Sequence, residues 1–287
     1  MAEIGKSDST GKRPALLRGR SASPRIEARK QGQIVVSDGA LIPGRAERGT
    51  FSAWRISFFG ALILLALLPI LSPEPYRRII TFLPDGIWQT FKVTLLSIVF
   101  AFFVGLITGL GRISRIRIIN RIATIYVEVI RGIPLLVQLF YIYYALGKIV
   151  QVPRLVAAVT AMTVCYGAYM GEIFRAGIQS IPKGQMEAAL ALGMTRWQAM
   201  RRIILPQTIK VVLPPVGNEF IALLKDSSLV SILAVADLLR RGREFASKTF
   251  YYFETYTVVA LVYLVITLFL SKLVSLMEER LNRREQE

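Results

Sequence analysis

Histidine is absent from this 287-residue chain, and cysteine occurs once, as Cys165. A single cysteine forbids an internal disulfide, and without histidine no His/Cys metal cluster can be assembled. Acidic residues are scarce too: 19 Asp plus Glu stand against 36 Lys plus Arg, leaving a net charge of +17. No Gly-x-x-x-x-Gly-Lys-Ser/Thr phosphate loop occurs in the sequence, so no nucleotide cradle of that kind is encoded. These absences predict no catalytic residue, no metal and no cofactor bound by the chain itself. Nucleic acid is not predicted as the partner of the positive charge, because no nucleic-acid motif accompanies it.

What is present in excess is apolar: 53% of residues, with a mean hydropathy of +0.49. The apolar residues fall in runs of the ~20 residues that cross a hydrocarbon core of ~30 Å. The reading is an all-α, polytopic membrane helix bundle of about six spans. They run from Trp54 to Leu71, Phe91 to Gly111, Ile122 to Leu146 (interrupted by Gly132 and Pro134), Leu155 to Phe174, Val211 to Leu239, and Tyr256 to Leu276. The fifth is expected to be irregular, broken by Pro214-Pro215 and by Lys225-Asp226-Ser227-Ser228. Residues 1–50 read as a disordered basic cytoplasmic tail, with Arg18, Arg20, Arg25, Arg29 and Lys30 able to meet anionic lipid. It is no secretory signal, since about fifty polar residues precede the first apolar run. Residues 51–84 form an additional N-terminal helix and loop, 85–280 a five-helix core, and 281–287 a charged cytoplasmic end. Cys165, inside an apolar run, is a packing residue.

Orientation follows from Lys/Arg asymmetry. The tail, the stretch Arg112–Arg121, the segment 175–210 and the C-terminus are basic and belong on one side, the cytoplasm. The stretch 239–248, with Arg240, Arg241, Arg243 and Lys248, then faces outward against the rule.

Residues 183–206 predict a helix, a turn and a second helix. Gln185 to Leu192 are mostly strong helix formers, with Met186, Ala189, Leu190 and Gly193 on one face. Gly193 suits the left-handed position that closes a helix, and Thr195 with Gln198 has capping-box spacing. The second helix carries Trp197, Met200 and Ile204 on one face and is expected to stop before Pro206. Polar groups at membrane depth are costly and mark cavities or helix contacts. That singles out Asn218, Glu219, Lys225, Asp226, Ser227 and Ser228 in span five, with Gln138, Thr163, Tyr166 and Tyr169 as weaker candidates. Two readings stay open for Lys225 and Asp226: a mutual pair at the outer end of the span, or direct contact with a transported solute. Glu128 with Arg131 reads as a structural ion pair or as a contact near the 183–206 segment.

The order Glu187-Ala188-Ala189, three residues, Gly193, nine residues, Ile203, one residue, Leu205-Pro206 resembles the signature of bacterial ABC-importer permeases. The flanks Gly171-Glu172-Ile173-Phe174-Arg175, Arg131-Gly132-Ile133-Pro134 and Leu213-Pro214-Pro215-Val216-Gly217-Asn218-Glu219 are similar to its polar amino-acid branch. The resemblance covers about residues 85–280 and implies a type I importer core. It makes Gln185, Met186, Glu187, Ala188, Ala189, Leu190 and Gly193 an ATPase-coupling segment. It further implies a second permease copy or paralogue, two ABC ATPase subunits that hold ATP and Mg, an extracytoplasmic solute-binding protein, surrounding lipid, and an amino acid as cargo. The expected place is the bacterial inner membrane, with both termini cytoplasmic. Opines or other amino-acid-like solutes are alternative cargoes. An ion-coupled secondary transporter is the alternative from another class, and it would leave residues 183–206 without a purpose.

Overall fold

The computed structural model describes residues 52–149 and 151–283, and every regular element among them is helical. The expected tail, 1–50, lies outside the described residues, as do residues 284–287 of the charged end.

Small residues build the centre. Helix α3 (Pro84–Arg112) buries Thr90, Thr94, Ser97, Ala101, Gly105, Thr108 and Gly109 along one stripe. Helix α6 (Arg154–Ser180) answers with Ala157, Ala158, Ala161, Gly167, Ala168 and Gly171. In lipid no hydrophobic drive pulls helices together, so close backbone approach and dispersion must hold them. At Gly105 an added Cβ would collide with the Cβ of Met170, and at Gly109 it would come within 2.9 Å of the Gly171 carbonyl oxygen. The core continues from this pair through Val93, Leu139, Met162, Tyr166, Leu223 and Val230.

Four described helices are long and apolar enough to cross a membrane: α1 (Ala53–Leu71), α3 with α2 (Pro73–Phe82) before it, α6, and α11 (Tyr252–Arg283). A fifth span is a bent pair, α4 (Arg117–Gly132) and α5 (Leu135–Phe140) with the π turn Tyr141–Ala145, kinked by 103° at Ile133-Pro134. The interruption expected in span three is therefore a sharp corner. Helix α9 (Leu205–Asp226) completes the bundle against α6 and α11, and Lys210, Glu219, Lys225 and Asp226 make it too charged to count as apolar.

Two expectations for α9 are corrected. Pro214 and Pro215 lie inside a continuous helix, held by packing on both sides, as with Gly177 closing over Val212 and Gly217 over Val274. The second short helix does not stop before Pro206. Helix α8 (Arg196–Ala199) runs through a π turn, Met200–Ile204, straight into α9. Proline has no N–H to give, and the Leu205 N–H reaches back to Met200 O, so the π turn absorbs the residue that would otherwise kink the helix.

Span five ends at Asp226, not near Leu239. A 3-10 turn, Ser227–Leu233, and the left-handed Ala234 (φ 58°) reverse the chain. The expected loop 239–248 is helix α10 (Leu238–Thr249), capped by the buried Asp237 carboxylate, which accepts from the N–H groups of Leu239 and Arg240 at 3.2 and 3.1 Å. The cations of α10 are partly accounted for: Arg240 and Arg241 pair with Glu244 at 2.8 and 3.1 Å, Arg241 also with Asp85, and Arg243 donates to the Ser231 carbonyl at 3.0 Å. The Arg240 guanidinium, against the opposing effect of burial, holds the Glu244 carboxyl below the ordinary carboxylate range. Trp54 serves as a helix–helix contact: its indole donates to Leu268 O at 2.9 Å and Lys272 lies 5.8 Å from its ring, tying α1 to α11.

The close α3–α6 approach makes a sharp prediction. Gly105→Leu should lose about 1–3 kcal/mol of stability through overpacking, read as a lower unfolding midpoint in detergent. Gly60→Leu, where a Cβ meets nothing within 4 Å, should match the wild type.

Candidate functional site

Helix α7 (Lys183–Ala191) and α8 project from the ends of α6 and α9, at the opposite end of the bundle from α2 and α10. Proline at 182 precedes α7 and fixes its entry. Its exit is fully paired: Gly193 takes φ +81°, its N–H bonds Leu190 O at 3.0 Å, and the Met194 N–H reaches Ala189 O at 3.1 Å. That double closure is the Schellman arrangement, and it demands a left-handed residue. Two residues on, the Thr195–Gln198 box forms in full: Thr195 N–H donates to Gln198 Oε1 at 2.9 Å, and Gln198 N–H to Thr195 Oγ1 at 3.2 Å.

These closures sort the expected coupling residues. Gln185, Glu187, Ala188 and Gly193 are exposed, while Ala189 is buried and Met186 and Leu190 are half-buried. Leu190 and Met186 thus serve the fold of the pair, and the outer row is polar and small. Two neighbours share the exposed row. Leu192 is 83% exposed and Trp197 69% exposed. Trp197 does not share the inner face with Met200 and Ile204: Ile204 is buried and Trp197 points away. An indole set among Arg196, Gln198, Arg201 and Arg202 was the available signal, since aromatic anchors surrounded by charge mark interfaces.

The helices that run into this pair are tied to their neighbours by charge and hydrogen bonds. Glu172 on α6 pairs with Arg112 of α3 and with Arg175, whose Nε donates at 3.0 Å. Asn120 donates to the Arg112 carbonyl, and Tyr126 donates to Val164 O at 2.6 Å, joining α4 to α6. The expected Glu128–Arg131 ion pair does not form among the described residues. Glu128 is exposed, and Arg131 lies over the Tyr169 ring, 5.1 Å from its centroid.

The polar residues expected at membrane depth divide into two groups. Gln138 is buried and its Nε2 donates to Ile130 O and Ile133 O, each at 2.8 Å, so the amide pairs the carbonyls that the corner at Pro134 releases. Ser227 is buried and donates to Leu224 O at 2.7 Å, closing the end of α9. Ser228 is half-buried beside it. Those contacts are structural. The other group is brought together: Tyr166 Oη donates to Asp226 Oδ2 at 2.8 Å, and the Tyr166 and Tyr169 rings lie 5.9 Å apart. Asp226 is thus paired with Tyr166 rather than with Lys225, which is exposed and makes no ion pair among the described residues. The result is a row with the Arg131 guanidinium at one end, two aromatic rings between, and the Asp226 carboxylate at the other. Asn218, half-buried on α9, adjoins Glu219.

The model of binding-protein-dependent transport system inner membrane components matches residues 101–285. The chain belongs to that family. Among curated relatives, the L-cystine transport system permease protein TcyB of Bacillus subtilis is 41% identical over 203 residues, 70% of this chain and 87% of the relative. The glutamine transport system permease protein GlnP of Escherichia coli is 38% identical over 205 residues, 70% and 94%. A crystal structure of an amino acid ABC transporter with histidines superposes with a TM-score of 0.69 at 44% identity, covering 73% of this chain and 97% of that one. The inward-facing methionine transporter MetNI, at 24% identity and a TM-score of 0.58, shares the fold. The chain is thus a multi-pass ABC-importer permease, the membrane subunit of a family whose ATPase is carried separately.

Tyr166→Phe removes the hydroxyl that donates to Asp226. Uptake should fall by about ten- to a hundredfold, from a lost hydrogen bond to a charged group of ~1.5–3 kcal/mol, with unchanged amounts of protein in the membrane. Transport assays paired with immunoblots of membranes check it.

Proposed function

We propose that this permease moves polar amino acids across the bacterial inner membrane by alternating access. Two such cores, or this one and a similar permease, would pair. Two ATPase subunits, which hold ATP and Mg, would drive them, and an extracytoplasmic solute-binding protein would deliver the cargo. The observation that carries the reading is the α7–α8 pair: a short helix closed by Gly193 and a full capping box, presenting Gln185, Glu187, Ala188, Leu192 and Trp197. A rigid plug continuous with α6 on one side and α9 on the other can pass a push into both. Both termini would then lie in the cytoplasm, on the side of α7.

The row Arg131, Tyr169, Tyr166, Asp226 supports an amino acid as cargo, because a zwitterion needs an acceptor for its ammonium group and donors for its carboxylate. Asn218 and Glu219 are proposed solute contacts. Lys225 is proposed to line the outer mouth. Ser228 stays a path candidate, whereas the hydroxyl of Ser227 and the Nε2 of Gln138 are committed to backbone carbonyls. The names of the relatives, cystine and glutamine permeases among them, support the same cargo class.

Reconstitution in liposomes with the partner ATPase and a solute-binding protein tests the reading by ATP-dependent uptake of labelled amino acids, with opines as a comparison. Glu187→Lys and Gly193→Asp should reduce uptake to background while the protein still inserts. Full uptake and ATPase retention in both variants would contradict the coupling role. Asn218→Ala or Glu219→Ala should raise the uptake KM about tenfold or more, the pattern of lost binding rather than lost turnover. Unchanged kinetics in both would remove them from the path.

A further inference from the structure

Between the end of α9 and the start of α10, outside the spans, the fold buries a carboxyl group. Asp237 is 0% exposed and makes no ion pair among the described residues. Its oxygens accept from the backbone N–H groups of Leu239 and Arg240. Such dipoles do not replace a cation: a carboxylate taken out of water without a partner charge is costly, and it takes up a proton instead. Asparagine caps a helix about as well as aspartate, so capping α10 does not by itself call for an acid at this position.

Around Asp237 lies a close-fitting seat for α10. The Leu238 N–H donates to Thr90 Oγ1 of α3 at 3.0 Å. Gly86 lets α3 approach so near that an added Cβ would stand 3.0 Å from the Leu238 Cα. On the other side Gly242 closes over Val259 of α11. The Tyr263 hydroxyl of α11 is buried without a hydrogen bond of normal geometry and faces Thr90 and Asp237. Arg243 is the charge that acts on Asp237 from α10, and its guanidinium donates to Ser231 O of the 3-10 turn at 3.0 Å. Arg240, Arg241, Glu244 and Asp85 pair with one another, and α2 adds no charge beside Asp237 among the described residues. Ala234, at φ 58°, joins this seat to the 3-10 turn that follows Asp226. Alanine is disfavoured in that conformation, so strain sits at the joint between α9 and α10.

We propose that Asp237 is a proton-operated latch: protonated, it holds α10 down on α3 and α11, and ionised, it favours release of α10 toward water. The inference rests on the importer reading above and adds a regulation to it. Helix α10 is tied through the 3-10 turn to Asp226, the end of the solute row, so a seated α10 restrains the outer end of α9 and outer acidity slows uptake. Linkage sets the direction. Burial pushes the seated Asp237 carboxyl up to about 7, whereas a hydrated Asp carboxyl titrates near about 4. The seated form therefore binds the proton more tightly, and its advantage is lost as the pH rises through that upper value. Between about pH 6 and about pH 8 the ratio of seated to released α10 falls about tenfold.

The test uses the full chain with its ATPase, in nanodiscs for hydrogen exchange and in ATP-loaded proteoliposomes for uptake. Exchange of the α10 amides, corrected for the intrinsic effect of pH, should be about tenfold faster at about pH 8 than at about pH 6. Amides of the α3–α6 core should keep one corrected rate. Asp237→Asn, which keeps the cap and carries no charge, should show the slow α10 rate at both. With the lumenal pH fixed, uptake by the wild type should rise up to about tenfold over the same outer range, relative to Asp237→Asn. Wild-type α10 exchange that ignores pH overturns the proposal, as does a pH dependence that survives in Asp237→Asn. Identical outer-pH profiles of uptake in the two chains overturn it as well. No ATP-dependent uptake at any pH, with any of the host's solute-binding proteins, would instead strike the importer reading and leave hydrogen exchange to judge the latch by itself.

Discussion

Every place where a helix breaks at membrane depth must find partners for the carbonyls it releases, because hydrocarbon offers none. That requirement shapes this permease more than any single contact. At the 103° corner the amide of Gln138 takes the carbonyls of Ile130 and Ile133. At the end of α9 the Ser227 hydroxyl takes Leu224 O, and after the 3-10 turn Arg243 reaches back to Ser231 O. Where Pro206 would break a helix, the π turn lets the backbone continue instead. Polar side chains in the spans therefore serve two masters, and separating them gives the function its address.

Once the structural group is set aside, one connected polar row remains, from the exposed Arg131 through Tyr169 and Tyr166 to Asp226. Its members come from three elements: α4 just before the corner, the middle of α6, and α9. Those are the elements whose relative positions a rocking motion would change. Helices α6 and α9 are also the two that run into the α7–α8 pair, so displacement of that pair acts on the helices bearing Tyr166, Tyr169 and Asp226. The Glu172 cluster with Arg112 and Arg175 couples α3 into the same body.

Much of this was legible in the sequence. The spans, the closure at Gly193 and the Thr195–Gln198 box follow from local chemistry, because each depends on neighbours within a few residues. What failed depended on tertiary context. Pro214-Pro215 reads as a break only if nothing packs across it. The stretch 239–248 reads as an exposed loop until Leu238 and Phe245 find Ile79 and Leu83, more than 150 positions earlier. Lys225 and Asp226, adjacent in sequence, point apart on a helix, so their pairing was never geometrically favoured. Gln138 looked like a solute contact because nothing in the sequence shows which carbonyls a corner will strand.

The account stands on α7 and α8 lying in the cytosol, where a nucleotide-driven partner can reach them. Met194→Cys in a Cys165→Ser background, probed with a membrane-impermeant thiol reagent, measures this directly. The account predicts no labelling of intact cells and full labelling of inside-out vesicles. Labelling from the outside of intact cells would contradict it.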